Sequence, residues 1–325
     1  MKSVLNKVSV YALAAAIGLS GAHVAMAADG DHGWSNIDIT FIVWTAEDVE
    51  FFVPSIEGAR DAAARQGISL DIQFGDADAV LQNNLIETAI ANNVDGIAVT
   101  VWDNDAFDES VCAAAEAGIP VVAHNIDDAE HAAGNCRLAY IGQDFEATGY
   151  TIGRRMIADH GIGAGDLVFT LVEFPEAVYA VGRHAGVAKA MAEVGAKTEI
   201  LGTGTDHSEA LNLMVQYLIG HPETKAVVGL GSTPTSQAVR ASREAGLEIP
   251  TGGFDVTNDI LDAIKDGTMT ATVDQQPYSQ GYFAVTQLSL LIKYGHFPSD
   301  MNTGGTGLID KTNVGLAEKW AHVTR

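Results

Sequence analysis

From Ile37 onward, short runs of β-branched and aliphatic residues alternate with windows whose apolar positions recur every three or four residues. Ile37 to Thr45 reads as a strand. Phe52, Ile56, Ala59 and Ala63 then repeat at helical spacing, with Glu57, Arg60, Asp61 and Arg65 on the opposite side and Gly67 as the stop. The same rhythm predicts strands over 69–74, 96–101, 120–124 and 138–141, with helices over 81–90 and 107–117. A second series follows: helices over 147–160, 179–194, 208–219 and 235–245, interleaved with strands over 166–173, 198–201 and 226–230. Gly252 to Pro277 holds a strand end, a short helix and another strand. A long helix over 278–294 comes next, with Tyr282, Val285, Leu288 and Leu291 on one face. Residues 302–307 read as a loop, and a last extended segment follows. Alternation of this kind predicts an α/β fold with parallel sheets covered on both faces, and its two series predict two lobes.

The first residues change the picture of where such a fold would work. Lys2 and Lys7, the apolar run 8–19 and Ala25-Met26-Ala27 form the three parts of a secretory signal peptide over 1–27, with cleavage expected after Ala27. The apolar run is shorter than the roughly 20 residues of a membrane span. Export to a periplasm is the expected outcome. The whole chain carries a net charge of −24, and the leader would remove two lysines and no acid. Such a field disfavours nucleic acid and anionic lipid as partners and is otherwise read as a solubility feature. Two cysteines, Cys112 and Cys136, remain after the leader. An oxidising compartment would permit a disulfide, while spacing alone leaves two free thiols equally open.

Ligands of open α/β sheets sit at the carboxyl ends of strands, so Asp255 and Gln275, each at a predicted strand end, mark where a site should lie. Signs of catalysis are weak. Gly229-Leu230-Gly231-Ser232 is not a nucleophile elbow, and the run 202–206 lacks the lysine of a phosphate loop. The histidines lack zinc-type spacing, and Asp103-Asn104-Asp105 lacks the glycine and distal glutamate of a calcium loop. The expectation is a protein that is not an enzyme and uses no cofactor or metal.

Seven segments occur in a familiar order: FIVWTAEDVEFFVPSIEGA (41–59), NNVDGIAV (92–99), AGIPVVAHNIDD (117–128), YIGQDFEATGY (140–150), VGRHAGVAKAM (181–191), GGFDVTNDILDAIKDG (252–267) and ATVDQQPYSQG (271–281). Together they resemble the type I periplasmic binding proteins that deliver simple sugars to ATP-driven importers, the ribose-binding type in particular. The resemblance implies two doubly wound lobes joined by a three-segment hinge, with crossings near 142–144, 275–276 and 306–308. The N-terminal lobe would comprise 37–142 and 277–305, and the C-terminal lobe 143–275 and 306–325. Ligand would bind between lobes that close on it. The implied partners are a small sugar or polyol and the membrane permease of an ABC importer, with a chemoreceptor or histidine kinase as the alternative recipient. A monomer is expected. A sugar-responsive repressor would share the fold, but a leader stands where its DNA-binding unit would be.

A sugar needs polar groups around its rim and aromatic walls over its faces. Phe51 and Phe52 stand where the family places its aromatic wall, and Thr45 matches a small hydroxyl position. Trp44 and Trp102 each end a strand of the first lobe. Asn125-Ile126 replaces the Asp-Arg pair of the ribose-type pattern, which puts ribose itself in doubt. Arg183 matches the family's arginine, whose fork suits paired hydroxyls. Asp255 is expected to accept hydroxyl hydrogens, with Gln275 beside the crossing. Thr205 stands at an aromatic position of the family, and Gly231-Ser232 where an asparagine is expected, so a more open second lobe is anticipated. Glu173, at a strand end, is a further acceptor candidate.

Overall fold

A computed structural model describes residues 34–325 apart from 48, 130–131, 306 and 322, so the expected leader lies outside the described residues. Among the described residues, a 3-10 turn (Trp34–Asn36) leads into β1 (Asp38–Val43), α1 (Val53–Gln66), β2 (Ser69–Phe74), α2 (Ala79–Ala91), β3 (Gly96–Val99) and α3 (Asp108–Glu116). It continues through β4 (Val121–Asn125), α4 (Ala132–Asn135), β5 (Ala139–Gly142), α5 (Phe145–His160), β6 (Leu167–Val172), α6 (Val178–Glu193) and β7 (Lys197–Gly202). Then come α7 (His207–Gly220), β8 (Thr224–Gly229), α8 (Ser232–Glu244), β9 (Thr251–Phe254), α9 (Asn258–Asp266), β10 (Thr272–Val273) and α10 (Pro277–Tyr294). The chain ends with β11 (Met301–Asn302), β12 (Leu308–Ile309) and α11 (Val314–Trp320).

These strands form two six-stranded sheets of the same winding. The first runs β2-β1-β3-β4-β5-β11 and the second β7-β6-β8-β9-β10-β12. Every pairing is parallel except β10 with β12. Inner strands such as β6, LVFTLV, are buried along their whole length, while β2 and β7 at the sheet edges keep exposed positions. A strand covered on both faces is apolar over most of its length, and the buried Thr170 within β6 is satisfied by donating to the Glu199 carbonyl.

Successive residues of each strand feed different cores. In β1, Ile39, Phe41 and Val43 pack with α1 and α10, whereas Ile42 packs with α2 and α3. In β6, Val168 and Val172 face α5 and α6, and Phe169 and Leu171 face α7 and α8. Helix ends are set locally. Asp78, Asp144 and Asp206 accept backbone N–H groups at the starts of α2, α5 and α7, and Gly67, Gly161 and Gly295 adopt left-handed φ where α1, α5 and α10 stop.

Three segments pass between the sheets: 143–144 after β5, 274–276 after β10, and the stretch that leaves β11 through 303–305 and reaches β12 at 308. Helix α10 thus lies against α1 of the first sheet although it directly follows β10 of the second. Cys112 on α3 and Cys136 form a disulfide with Cα atoms 5.0 Å apart, closing the alternative left open by spacing. The tail departs from expectation. Only two residues after the loop are strand, and Val314–Trp320 is a helix packed through Val314 and Ala317 against α9.

Candidate ligand-binding cleft

The two sheets present their carboxyl ends to one cavity of about 450 Å³. Trp44 and Thr45 follow β1, Asn125 ends β4, Glu173 follows β6, Gly231 and Ser232 lie beyond β8, Asp255 follows β9 and Gln275 follows β10. Phe51 and Phe52 come from the turn entering α1, Arg183 from α6, and Thr205 from the loop before α7. Eleven of the twelve residues singled out from the sequence therefore line one space. Trp102 is the exception: it lines an adjoining cavity that shares Trp44, Ile126, Phe174 and Tyr179. Its indole N–H donates to Gln82 Oε1 at 3.0 Å, and its ring packs 5.8 Å from Trp44 and 5.4 Å from Phe107. Trp102 braces the wall, with Trp44 as the ring facing the cavity.

Arg183 is buried and already partly engaged. Nη1 donates to the Leu230 carbonyl at 2.6 Å and Nη2 to Gln143 Oε1 at 3.0 Å. Its guanidinium carbon lies 4.3 Å from the Phe254 ring centre, 5.2 Å from Tyr179 and 5.3 Å from Phe145. These rings and bonds fix the fork's plane, while Nε is buried without a partner among the described residues. Trp44 Nε1 is in the same condition. Two unmet donors on the lining of one cavity are what a ligand rich in acceptors would satisfy.

Asp255 takes Gln275 Nε2 on Oδ1 at 2.6 Å. Burial pushes its carboxyl above the usual range, and the Arg183 charge only partly opposes that shift. Glu173 accepts the Thr233 N–H on Oε1 at 3.0 Å and the Tyr179 hydroxyl on Oε2 at 3.2 Å. Its carboxyl is also raised, first by burial, then by the nearby Asp255 charge. Asn125 donates to Gln280 Oε1 at 3.1 Å, and Gln280 in turn donates to the Gln275 carbonyl and the Thr303 hydroxyl, both at 3.2 Å. The cavity's polar rim is thereby continuous with two of the crossings.

Asn125 and Asp255 both have left-handed backbones, with φ of 67° and 74°, and both end the fourth strand of their sheet. Asn and Asp tolerate that conformation better than other non-glycine residues, and it turns the chain sharply at the strand end. Thr205 is exposed at the cavity edge. The second sheet is not more open at Gly231, as anticipated. A Cβ built there would lie 2.0 Å from Glu173 Oε2, so the carboxylate from β6 fills the volume that a side chain at 231 would take.

Sequence reasoning missed several lining residues. Tyr179 lies one helical turn before Arg183 on α6, and that spacing was the available signal. Phe145 directly follows the first crossing. Phe174, next to Glu173, carried no signal beyond its neighbour. Among the described residues, no cluster of His, Cys, Asp and Glu is arranged to hold a metal, and no helix is long and apolar enough to cross a membrane.

Comparison with known proteins agrees with this geometry. A xylose/arabinose-binding protein of Sulfolobus acidocaldarius is 28% identical over 284 residues, covering 81% of this chain and 69% of its own. A ribose import binding protein of Bacillus subtilis is 29% identical over 237 residues, covering 72% and 75%. The crystal structure of a carbohydrate transporter from Acidothermus cellulolyticus, in complex with myo-inositol, superposes with a TM-score of 0.78 at 28% identity, over 89% of this chain and 99% of that one. These relatives are binding and transport proteins by description. The profile of the family described as the periplasmic binding protein domain matches residues 39–296, and the chain belongs to that family as a substrate-binding protein of its type I fold.

Proposed function

We propose that this protein, exported through a leader ending at Ala27, captures a monosaccharide or polyol between its two lobes and delivers it to the permease of an ABC importer. The observation that carries this reading is the cavity of about 450 Å³ at the facing strand ends, a volume in the range of about 300–1,000 Å³ usual for small-ligand sites. Trp44, Phe51, Phe52 and Phe145 supply apolar walls for C–H faces. Arg183, Asp255, Asn125 and Gln275 supply donors and acceptors for hydroxyls. The disulfide between Cys112 and Cys136 suits an oxidising, extracytoplasmic compartment. The sugar-binding relatives support the ligand class, and the importer described for one of them supports the partner.

A thermal-shift screen of the mature protein against pentoses, hexoses, inositols and linear polyols tests the reading. A true ligand stabilises by mass action, by about 2.7 kcal/mol at a hundredfold excess over Kd, so the melting temperature should climb with concentration. A panel without any concentration-dependent shift would refute the assignment.

A further inference from the structure

The charges on the cavity wall do not balance. Its described lining holds two carboxylates, Asp255 and Glu173, and one cation, Arg183. Neither carboxylate lies within ion-pair distance of Arg183 or of any other cation among the described residues. Each terminal nitrogen of the arginine instead gives one N–H to Leu230 or Gln143. Asp255 has a ready role beside Gln275 as an acceptor of ligand hydroxyls. Glu173 is the surplus charge.

Glu173 is also a placed charge. It is only 9% exposed, and each oxygen holds one donor, the Thr233 amide on one side and the Tyr179 hydroxyl on the other. That arrangement orients a carboxylate on the cavity lining and leaves it acceptor capacity beyond the bonds it already receives. The absence of a side chain at Gly231 is what makes room for it. An isolated buried carboxylate is costly unless something cationic pairs with it when the site closes.

We propose that the preferred ligand carries an ammonium group, as an amino sugar or amino cyclitol does, and that Glu173, admitted by Gly231, is the residue that receives it. An ammonium presents three donors, enough to bridge Glu173 and a neighbouring acceptor. Pairing it with Glu173 brings the cavity's formal charge to zero. The hydroxyls of the same ring would still meet Asp255, Asn125 and Gln275. This inference rests on the proposed function, because it names the ligand subclass of the same site.

Calorimetry on the mature protein with matched pairs provides the test: glucose against glucosamine and N-acetylglucosamine, and myo-inositol against an amino-deoxy-inositol. The amine is expected to bind about tenfold tighter than its neutral partner or better, the difference usual for a hydrogen bond to a charged group, and N-acetylation should remove that advantage. Glu173→Gln keeps the shape and an acceptor for the Thr233 amide, so it should bring the amine-to-neutral ratio close to one. Its unliganded melting temperature, measured in parallel, establishes that the variant is folded. If neutral ligands bind as tightly as amines, or if the amine preference survives in a folded Glu173→Gln, the inference is overturned while the proposed function stands. If no compound of either kind binds, both fall.

Discussion

Arg183 gives one N–H of each terminal nitrogen to the protein, so its offer to a ligand is the second N–H on each, the unmet Nε–H and a positive charge held among aromatic rings. Asp255 is the better probe of ligand binding, because it lines the cavity and its Oδ1 is steadied by Gln275. Asp255→Ala is expected to cost about 1–3 kcal/mol of binding, seen by calorimetry as a loss of roughly fivefold or more. The pH dependence has a definite sign. Burial raises the Asp255 pKa in the unliganded protein, and the ionised form is the stronger acceptor. Affinity should therefore be greatest above that raised pKa and fall as acid protonates the group, with a weaker pH dependence in Asp255→Asn. His124 gives a separate signature in folding. It is buried, stacked 4.1 Å from Phe41, and bonded to the Ile42 carbonyl, and burial lowers its pKa from 6.5 to about 4. The unfolded chain then binds a proton that the folded one refuses, so stability is full above pH 6.5 and declines as pH falls toward 4, by up to about 3 kcal/mol. Urea unfolding at a series of pH values, with His124→Gln as the control, should show that decline flattened in the variant. Individual site positions were legible where they end strands, as with Asn125, Asp255 and Gln275. The exchange of a side chain at 231 for the Glu173 carboxylate was not, since the two positions lie 58 residues apart and meet only through the pairing of β6 with β8.

At the scale of elements, the repeated strand order places corresponding positions of the two sheets at one cleft. Asn125 at the end of β4 answers Asp255 just after β9, and Trp44 after β1 answers Glu173 after β6. Periodicity revealed nearly all of these strands and helices because central strands need continuous apolar runs and covering helices need one apolar face. It failed where tertiary contacts decide. β11 is only two residues long and is held on the edge of β5, and α11 became a helix by packing on α9. Helix spacing is a second element-level determinant, because Arg183 is carried on α6 at its crossing with α5. A Cβ at Gly149 would lie 2.1 Å from the Arg183 carbonyl oxygen, whereas one at Gly153, a turn further on, would lie 2.9 Å from the Ala190 methyl. Gly149→Ala must push the helices apart at the arginine itself. It is expected to lose about 1–3 kcal/mol of stability and also to weaken ligand binding, while Gly153→Ala should lose less stability and leave binding nearly intact. Chemical denaturation and calorimetry on the two variants separate these effects.

The whole molecule joins two bodies of like charge through three short crossings. Residues 37–142 with 277–305 hold 20 acids and 4 bases, and residues 143–275 with 306–325 hold 20 acids and 12 bases. A cavity lined from both sheets can surround a ligand only when they stand close together, so the proposed capture by hinge closure would work against mutual repulsion. The segments that carry the resemblance contain 143–144 and 274–276 but nothing beyond 281, and the balance of charge across the cleft depends on which segments each sheet gathers. The Debye length falls from about 30 Å at 0.01 M salt to about 8 Å at 0.15 M, so added salt relieves repulsion between the lobes. A neutral polyol has no charge of its own to be screened. Its affinity should therefore rise with salt over this range, which is opposite to the trend for a ligand drawn in by long-range attraction. Calorimetry with one neutral ligand at both ionic strengths checks the sign, and small-angle scattering checks the cause. The unliganded protein should contract as salt is added, and ligand should contract it further. Affinity that falls with salt, or a radius of gyration unmoved by ligand, would mean that the cleft is filled without closing and that the crossings act as fixed struts.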